Sequence, residues 1–243
     1  NVMYRETTDA NGQIPQIPVT PGTYTFKEVY APDGYALNEA EMRFTVDADG
    51  NVTGDTTIRD DYTRFSLRKV DESGKPLAGV MFGLKKADGM LMMTAKTDAK
   101  GMATFEKVPF GMYTLVETRA LPGYLKADTE IKITVDGTFV NPKEPIATVV
   151  NERQKIRGLK VDTAGQALPG AAFSLINADT GEIVDVAASD EKGEFYLTGF
   201  GYGDWIIRET VVPEGFNRVE DVLIHVDEDW KAPNTLLFTD IPN

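Results

Sequence analysis

The chain has 243 residues, of which 42% are apolar and 26% charged, with no cysteine, one histidine and a net charge of −13. This is the ordinary globular mixture, and it excludes a disordered tail, a collagen-like fibre and a coiled coil. The missing cysteines exclude disulfides, thiolate metal sites and a cysteine nucleophile, and an acidic chain without a basic stripe sets nucleic-acid binding aside.

No apolar run reaches the roughly 18 residues of a membrane helix, so no membrane partner is expected in this fragment. The opening residues, NVMYRETTDA, lack the basic and then apolar run of a signal peptide.

Taken in chain order, the sequence repeats itself. The first copy reads Thr8-Asp-Ala-Asn-Gly12, then Gly22-Thr-Tyr-Thr-Phe-Lys-Glu28, then Ala31-Pro-Asp-Gly-Tyr35. The second reads Thr97-Asp-Ala-Lys-Gly101, Gly111-Met-Tyr-Thr-Leu-Val-Glu117 and Ala120-Leu-Pro-Gly-Tyr124. The third reads Ser189-Asp-Glu-Lys-Gly193, Gly203-Asp-Trp-Ile-Ile-Arg-Glu209 and Val212-Pro-Glu-Gly-Phe216. Gly22, Gly111 and Gly203 are separated by steps of 89 and 92 residues, and the other landmarks keep the same steps.

A further block occurs only twice. It is Leu67-Arg-Lys69-Val-Asp71 with Gly74 to Gly79 and Phe82, and Leu159-Lys160-Val-Asp162 with Gly165 to Gly170 and Phe173. The expected organisation is therefore a partial domain over 1–62 lacking its first strands, and full domains over 63–152 and 153–243. An incomplete sheet of this kind needs cover, from a neighbouring molecule or from domain 63–152.

Short alternating runs predict strands at Leu67 to Val70, Val80 to Leu84, Ala103 to Glu106, Met112 to Glu117, Ile131 to Val135 and Ala147 to Val150. Asp49-Gly50 and Asp136-Gly137 are hairpin signals. No stretch keeps a helical period. The fold class is all-β: tandem small two-sheet sandwiches.

Strand alternation also places unexpected polar groups on apolar faces. Tyr113, Leu115 and Glu117 share a face, as do Trp205, Ile207 and Glu209, and Tyr24, Phe26 and Glu28. On the first strand Phe65 and Leu67 lead to Lys69, and Ile156 and Gly158 lead to Lys160. On the last strand Ala147 and Val149 lead to Asn151, Leu236 and Phe238 to Asp240, and Thr56 and Ile58 to Asp60.

Each full domain thus offers an inward lysine, glutamate and Asn or Asp. Two readings of such a trio stand side by side. One is structural: a satisfied buried ion pair, or three residues at a wet sheet edge. The other is reaction: burial lowers a lysine pKa and raises a glutamate pKa, so a neutral amine attacks a carbonyl polarised by a carboxylic acid. The product is an amide between side chains, with ammonia or water released.

The string Tyr113-Thr-Leu-Val-Glu117-Thr-Arg-Ala-Leu-Pro-Gly-Tyr124 resembles the E-box of Gram-positive pilins and adhesins. Lys69-Val-Asp, Leu77-Ala-Gly-Val-Met-Phe82 and Val149-Val-Asn151 resemble the rest of a collagen-adhesin B-type (Cna-B, SpaA-type, prealbumin-like) domain. The resemblance implies a transthyretin-like sandwich with a spontaneous isopeptide bond. It makes Lys69 and Asn151 the bonded pair with Glu117 the catalytic acid. Lys160, Asp240 and Glu209 match in the next domain, and Glu28 and Asp60 are first-domain equivalents without a lysine.

The function it implies is a cross-linked spacer in the stalk of a secreted, cell-wall-attached adhesin or pilin. Its partners are the neighbouring domains of the parent protein, and no cofactor or metal is involved. The chain has no Tyr-Pro-Lys pilin motif, which favours a stalk fragment over a shaft subunit. The alternative is an adhesin module that binds a host matrix protein or glycan through its loops. An enzyme acting on an external substrate is disfavoured, since no histidine constellation, metal set or phosphate loop is present.

Other candidates read as structural. Asp47-Ala-Asp49-Gly50-Asn51 opens like a calcium loop but lacks the closing glutamate, so a hairpin turn is expected, and likewise at Asp227-Glu-Asp229. His225 is expected at a surface or rim. Met90, Met92, Met93 and Met102 are read as core gap-fillers, with a partner-binding patch as the alternative, Trp205 as core, and Trp230 as an exposed turn residue.

Overall fold

The structure, a computed structural model, describes residues 3–227, 230, 232 and 235–243. The described residues hold no helix; strands and turns make up the chain. In order these are β1 (Gly22–Phe26), β2 (Met42–Val46), β3 (Val52–Gly54), β4 (Arg64–Asp71), β5 (Met81–Lys86) and β6 (Leu91–Lys96). They continue as β7 (Met102–Glu106), β8 (Gly111–Arg119), β9 (Glu130–Val135), β10 (Thr148–Asn151), β11 (Ile156–Asp162) and β12 (Ala172–Asn177). The last are β13 (Ile183–Ala188), β14 (Glu194–Leu197), β15 (Gly203–Val211), β16 (Val222–Val226) and β17 (Leu236–Asp240).

The second and third repeats are built alike. A three-stranded sheet, ordered β10-β4-β7, accompanies a four-stranded sheet, ordered β6-β5-β8-β9. Their counterparts are β14-β11-β17 and β13-β12-β15-β16. The first repeat contributes the sheet β1-β2-β3 alone. In each full repeat the lysine strand is central in its sheet, and the last strand runs parallel to it, with Val149 opposite Lys69 and Phe238 opposite Lys160.

Alternation explains the packing. Phe65, Leu67 and Lys69 of β4 are all buried, as are Tyr113, Leu115 and Glu117 of β8. In the third repeat one core draws Ile156, Phe173, Leu175, Phe195, Trp205, Ile207 and Phe238 from both sheets. Phe173 stacks on Phe195 with ring centres 4.1 Å apart, and Phe238 closes the trio at 4.7 and 5.5 Å.

Gly158 leaves no gap in that face, because a Cβ there would lie 2.1 Å from the Phe195 ring. The ring occupies the space a side chain would take.

Turn glycines hold the lysine strands in place. Lys69 N donates to Gly101 O and Lys160 N to Gly193 O, each at 2.7 Å. Gly101 and Gly193 have φ of 76° and 75°. A Cβ on either would meet the carbonyl oxygen of the lysine, at 2.3 and 2.2 Å. Positive φ and this close approach each require glycine.

The chain divides into two compact units. One holds residues 1–64 with 106–111 and 134–143, and the other holds 65–105, 112–133 and 144–243. Within the first unit Ala31 N donates to Gly137 O and Leu37 N to Phe139 O at 2.7 Å, and Phe110 N to Asp33 Oδ1 at 2.6 Å. These bonds accompany burial of Ala31 and Ala36, whereas Tyr24, Phe26, Phe44 and Ile58 stay half-buried.

Several expectations need correction. Asp136-Gly137 is a turn but not a hairpin, because β9 lies beside β8 while the following strand, β10, pairs with β4. Gly137 is there for space: a Cβ would meet the Tyr30 ring at 2.4 Å. Strands β6 and β13 escaped the sequence reading because a register shift leaves Met92 and Val184 as extra residues and breaks strict alternation. The methionines are not core fillers: Met90 is 61% exposed, and Met92, Met93 and Met102 are half-buried. Trp230 is not a free turn residue, since it meets Phe200 edge-on at 5.3 Å against the core.

Asp49-Gly50 does turn the β2–β3 hairpin, with Gly50 at φ 84° and Asp47 Oδ1 accepting from Asp49 N and Asn51 N. Glu228 and Asp229 of the matching loop lie outside the described residues.

Gly158→Ala should overpack the third repeat and lower its stability by about 1–3 kcal/mol. Urea unfolding followed by tryptophan fluorescence reads this, since both tryptophans, Trp205 and Trp230, lie in that repeat.

Candidate functional site

The three polar side chains of each full repeat converge inside the core. In the second, Lys69 Nζ donates to Asn151 Oδ1 at 2.6 Å and to Val149 O at 3.1 Å. Asn151 Nδ2 donates to Glu117 Oε1 at 2.7 Å, and Glu117 Oε2 stands 3.6 Å from the ammonium. Lys69 and Asn151 come from one sheet and Glu117 from the other, so the cluster ties the sandwich together. The side chains of Lys69 and Glu117 have no solvent exposure.

In the third repeat Lys160 Nζ donates to Asp240 Oδ1, and Glu209 Oε1 lies 3.1 Å from it. Lys160 is fully buried, and its ammonium also lies 5.8 Å from the centre of the Phe173 ring. Here one cation faces two carboxylates; in the second repeat it faces one carboxylate and a neutral amide.

The glutamate is aimed by its strand and by a bulge. Phe82 pairs with Glu117 and Phe173 with Glu209, each next to a register shift in the ladder. Its second oxygen is held by a backbone N–H ten residues on: Asn38 N to Glu28 Oε2 at 2.9 Å, Ala127 N to Glu117 Oε2 at 3.3 Å and Val219 N to Glu209 Oε2 at 3.0 Å. Sequence reasoning missed these donors, because a main-chain N–H leaves no mark on residue type. The only available signal was position, three residues after the aromatic of each Gly-Tyr or Gly-Phe landmark.

Burial lowers the pKa of Lys69 from 10.5, with the charge of Glu117 and its hydrogen bonding opposing. That favours the neutral amine. In the first repeat Glu28 is raised from 4.5, first by burial and then by the nearby charge of Asp60, with the Asn38 N–H opposing. Asp60 Oδ1 is buried without a hydrogen-bond partner. Among the described residues no ion pair involves Glu28 or Asp60.

The remaining candidates stand apart. His225 is exposed, with Nδ1 2.6 Å from Asp204 Oδ1 on the solvent side of the β15–β16 pair. Trp205 is core, 5% exposed. Among the described residues no three His, Asp or Glu side chains could hold a metal together. No helix among them is long and apolar enough to cross a membrane.

Comparison with known proteins finds matches along the whole chain. The family described as "SpaA: Prealbumin-like fold domain" matches three times, over residues 2–61, 63–145 and 154–236. Serine-aspartate repeat-containing protein F of Staphylococcus epidermidis is 27% identical over 87% of this chain and 15% of its own length. Serine-aspartate repeat-containing protein D of Staphylococcus aureus (strain Newman) is 23% identical over 89% of this chain and 19% of its own. The chain therefore spans less than a fifth of either relative. Among solved structures, the Bacillus anthracis TIE protein aligns with a TM-score of 0.49 and 24% identity, over 97% of this chain and 45% of that one.

Lys160→Ala should leave Glu209 and Asp240 as two buried carboxylates with no cation. A loss of about 3–5 kcal/mol is expected, measured by urea unfolding with tryptophan fluorescence.

Proposed function

The chain belongs to the SpaA prealbumin-like domain family, and we propose that its full repeats are covalently locked spacers of a Gram-positive surface adhesin or pilin stalk. The observation that carries this reading is the fully buried lysine held against an amide or carboxylate and a glutamate, twice over.

A buried ammonium costs several kcal/mol after relaxation, and the side-chain carbonyl of Asn151 lies within hydrogen-bond reach of the Lys69 nitrogen. In the second repeat the neutral Lys69 amine attacks Cγ of Asn151. Glu117, which accepts from Asn151 Nδ2 through Oε1 and stands 3.6 Å from Lys69 Nζ through Oε2, takes a proton from the attacking nitrogen and passes it to the leaving one. The C–Nδ2 bond breaks, ammonia leaves, and a Lys69–Asn151 amide remains. In the third repeat Lys160 attacks Cγ of Asp240 with help from Glu209, and water leaves. Held partners and excluded solvent supply the rate. The chemistry happens once per repeat and consumes the protein itself, so it is self-modification, not enzyme turnover.

Lys69 and Asn151 lie 82 residues apart and Lys160 and Asp240 lie 80 apart. On a chain-entropy model, closing such a loop is worth about 4.5 kcal/mol. The bond joins the first strand to the parallel last strand, so tension between the ends of a repeat runs through covalent links. In a chain without cysteine, this replaces the disulfide. The partners on this reading are the adjoining domains of the parent protein, at the cell wall. The loops single out no host ligand.

The intact chain should weigh less than its sequence by one ammonia and one water. Peptide mapping should find Lys69 joined to Asn151 and Lys160 to Asp240; free lysines at both positions would overturn the reading. Glu117→Ala should leave the second repeat folded but unlinked, reducing the deficit to one water.

The reaction should also depend on pH. The folded, unlinked second repeat binds fewer protons at Lys69 than the unfolded chain does at pH values below 10.5. Its stability and its fraction of neutral amine therefore both rise with pH through the depressed pKa. Linking during refolding from acid, followed by mass, should accelerate over that window and level off before pH 10.5.

A further inference from the structure

The outer face of the sheet β13-β12-β15-β16 carries one row of apolar side chains across all four strands. Ile183 pairs with Ile176, Ile176 with Ile206, and Ile206 with Leu223. Their neighbours along the strands, Val184, Leu175, Trp205, Ile207, Val222 and Ile224, belong to the core or pack against it, so alternation turns the row outward. Its two ends are open to solvent, with Ile183 56% and Leu223 73% exposed. At the usual strand spacing the row is about 15 Å long.

The second repeat supplies an internal control. There the same row reads Leu91, Lys85, Thr114 and Lys132. Lys85 pairs with both Leu91 and Thr114, and Lys132 is exposed in β9 at the place of Leu223 in β16. The two repeats share a fold and a buried polar cluster, so the apolar row is not needed for either. A contiguous apolar stripe facing water marks a contact surface.

The charges beside the row say what covers it. Along β15, Asp204 and Arg208 flank Ile206; along the neighbouring strand, His225 and Asp221 flank Leu223. Asp204 stands opposite His225, with Oδ1 2.6 Å from Nδ1. Arg208 donates to Asp221 Oδ2 from Nε at 3.0 Å and from Nη2 at 2.6 Å. Hydrogen bonding to Asp204 raises the pKa of His225 from 6.5, toward the charged form. The pattern is thus acid, apolar, base on one strand and base, apolar, acid on the next. A half-turn about the row lays Asp204 over a second copy's Arg208 and His225 over its Asp221, and the apolar row meets itself. The second repeat has Met112 and Val116 in the places of Asp204 and Arg208.

We infer that this face pairs with the same face of a second copy of the chain, in a dimer whose two-fold axis runs along the apolar row. The contact is isologous, with the two sheets face to face and their strands nearly aligned. Residues 153–243 carry sixteen Asp and Glu against eight Lys and Arg, so two copies repel each other over most of this repeat. On this face each acid meets a base, which selects the register. A face of four short strands offers on the order of 400 Å² per copy, about half of a standard interface. The dimer is therefore weak and reversible.

The test uses the whole chain. Sedimentation equilibrium up to about 1 mM should show a monomer–dimer equilibrium, the range in which so small an interface binds. Leu223→Lys, which copies Lys132, should weaken association at least tenfold, and so should Asp204→Lys, which sets a lysine over Arg208. Both positions are exposed, so the urea midpoint read by tryptophan fluorescence should not move. With oxidised glutathione, Leu223→Cys should form a disulfide-linked dimer at least tenfold faster than Leu237→Cys, which is 63% exposed on the outer face of the other sheet. A chain that stays monomeric overturns the inference. So does association that either lysine variant leaves intact, or trapping that is as fast at 237 as at 223.

Discussion

A lysine side chain with no access to solvent is the constraint on which the second and third repeats depend. Its desolvation is so costly that every nearby group must answer it. Val149 O and Asn151 Oδ1 accept from Lys69, and a glutamate from the opposite sheet balances the charge. The fold meets this demand by placing the lysine strand at the centre of its sheet with the last strand alongside it in parallel. Independently of the side chain, the turn that closes on the lysine backbone requires glycine at 101 and 193.

The two sites share a frame and differ in charge. With Asn151 the cluster is one cation and one anion, and each polar atom of the amide is engaged, one as acceptor and one as donor. With Asp240 there is no donor on that side chain, and Glu209 Oε1 and Asp240 Oδ2 are buried without directed hydrogen bonds. The third repeat is thus the less satisfied of the two, since an unpaired polar atom in a dry interior is costly. The main-chain N–H ten residues after each glutamate is common to all three repeats and keeps the acid aimed whatever stands at the acceptor position.

Much of this was legible in the sequence, for a physical reason. A strand has a period of two, so Glu117 after Tyr113 and Leu115 had to face inward, and Asp240 after Leu236 and Phe238 likewise. The register of the repeats then placed the same residue types together twice. The rest was hidden because it rests on geometry that side-chain identity does not encode. Strands β6 and β13 carry a bulge, at Met92 and Val184, that breaks the period of two. The hydrogen bonds to the glutamates come from backbone. Gly158 resembled a defect in the inward face, because only the fold brings the Phe195 ring over it. The same holds for Gly137 under Tyr30, where a turn signal and a packing requirement look alike in one dimension.

The parallel pairing of first and last strands also dictates an order of events. Lys69 and Asn151 are 82 residues apart, on strands that open and close the repeat. A growing chain delivers the lysine strand first and its partner last. Until then the lysine side chain stands in water. Contacts of such sequence separation form late, after the local hairpins. The polar cluster therefore comes together only once the sheets that enclose it exist, and a chain that has stalled or misfolded part-way never assembles it. The site records the completion of folding in its own repeat.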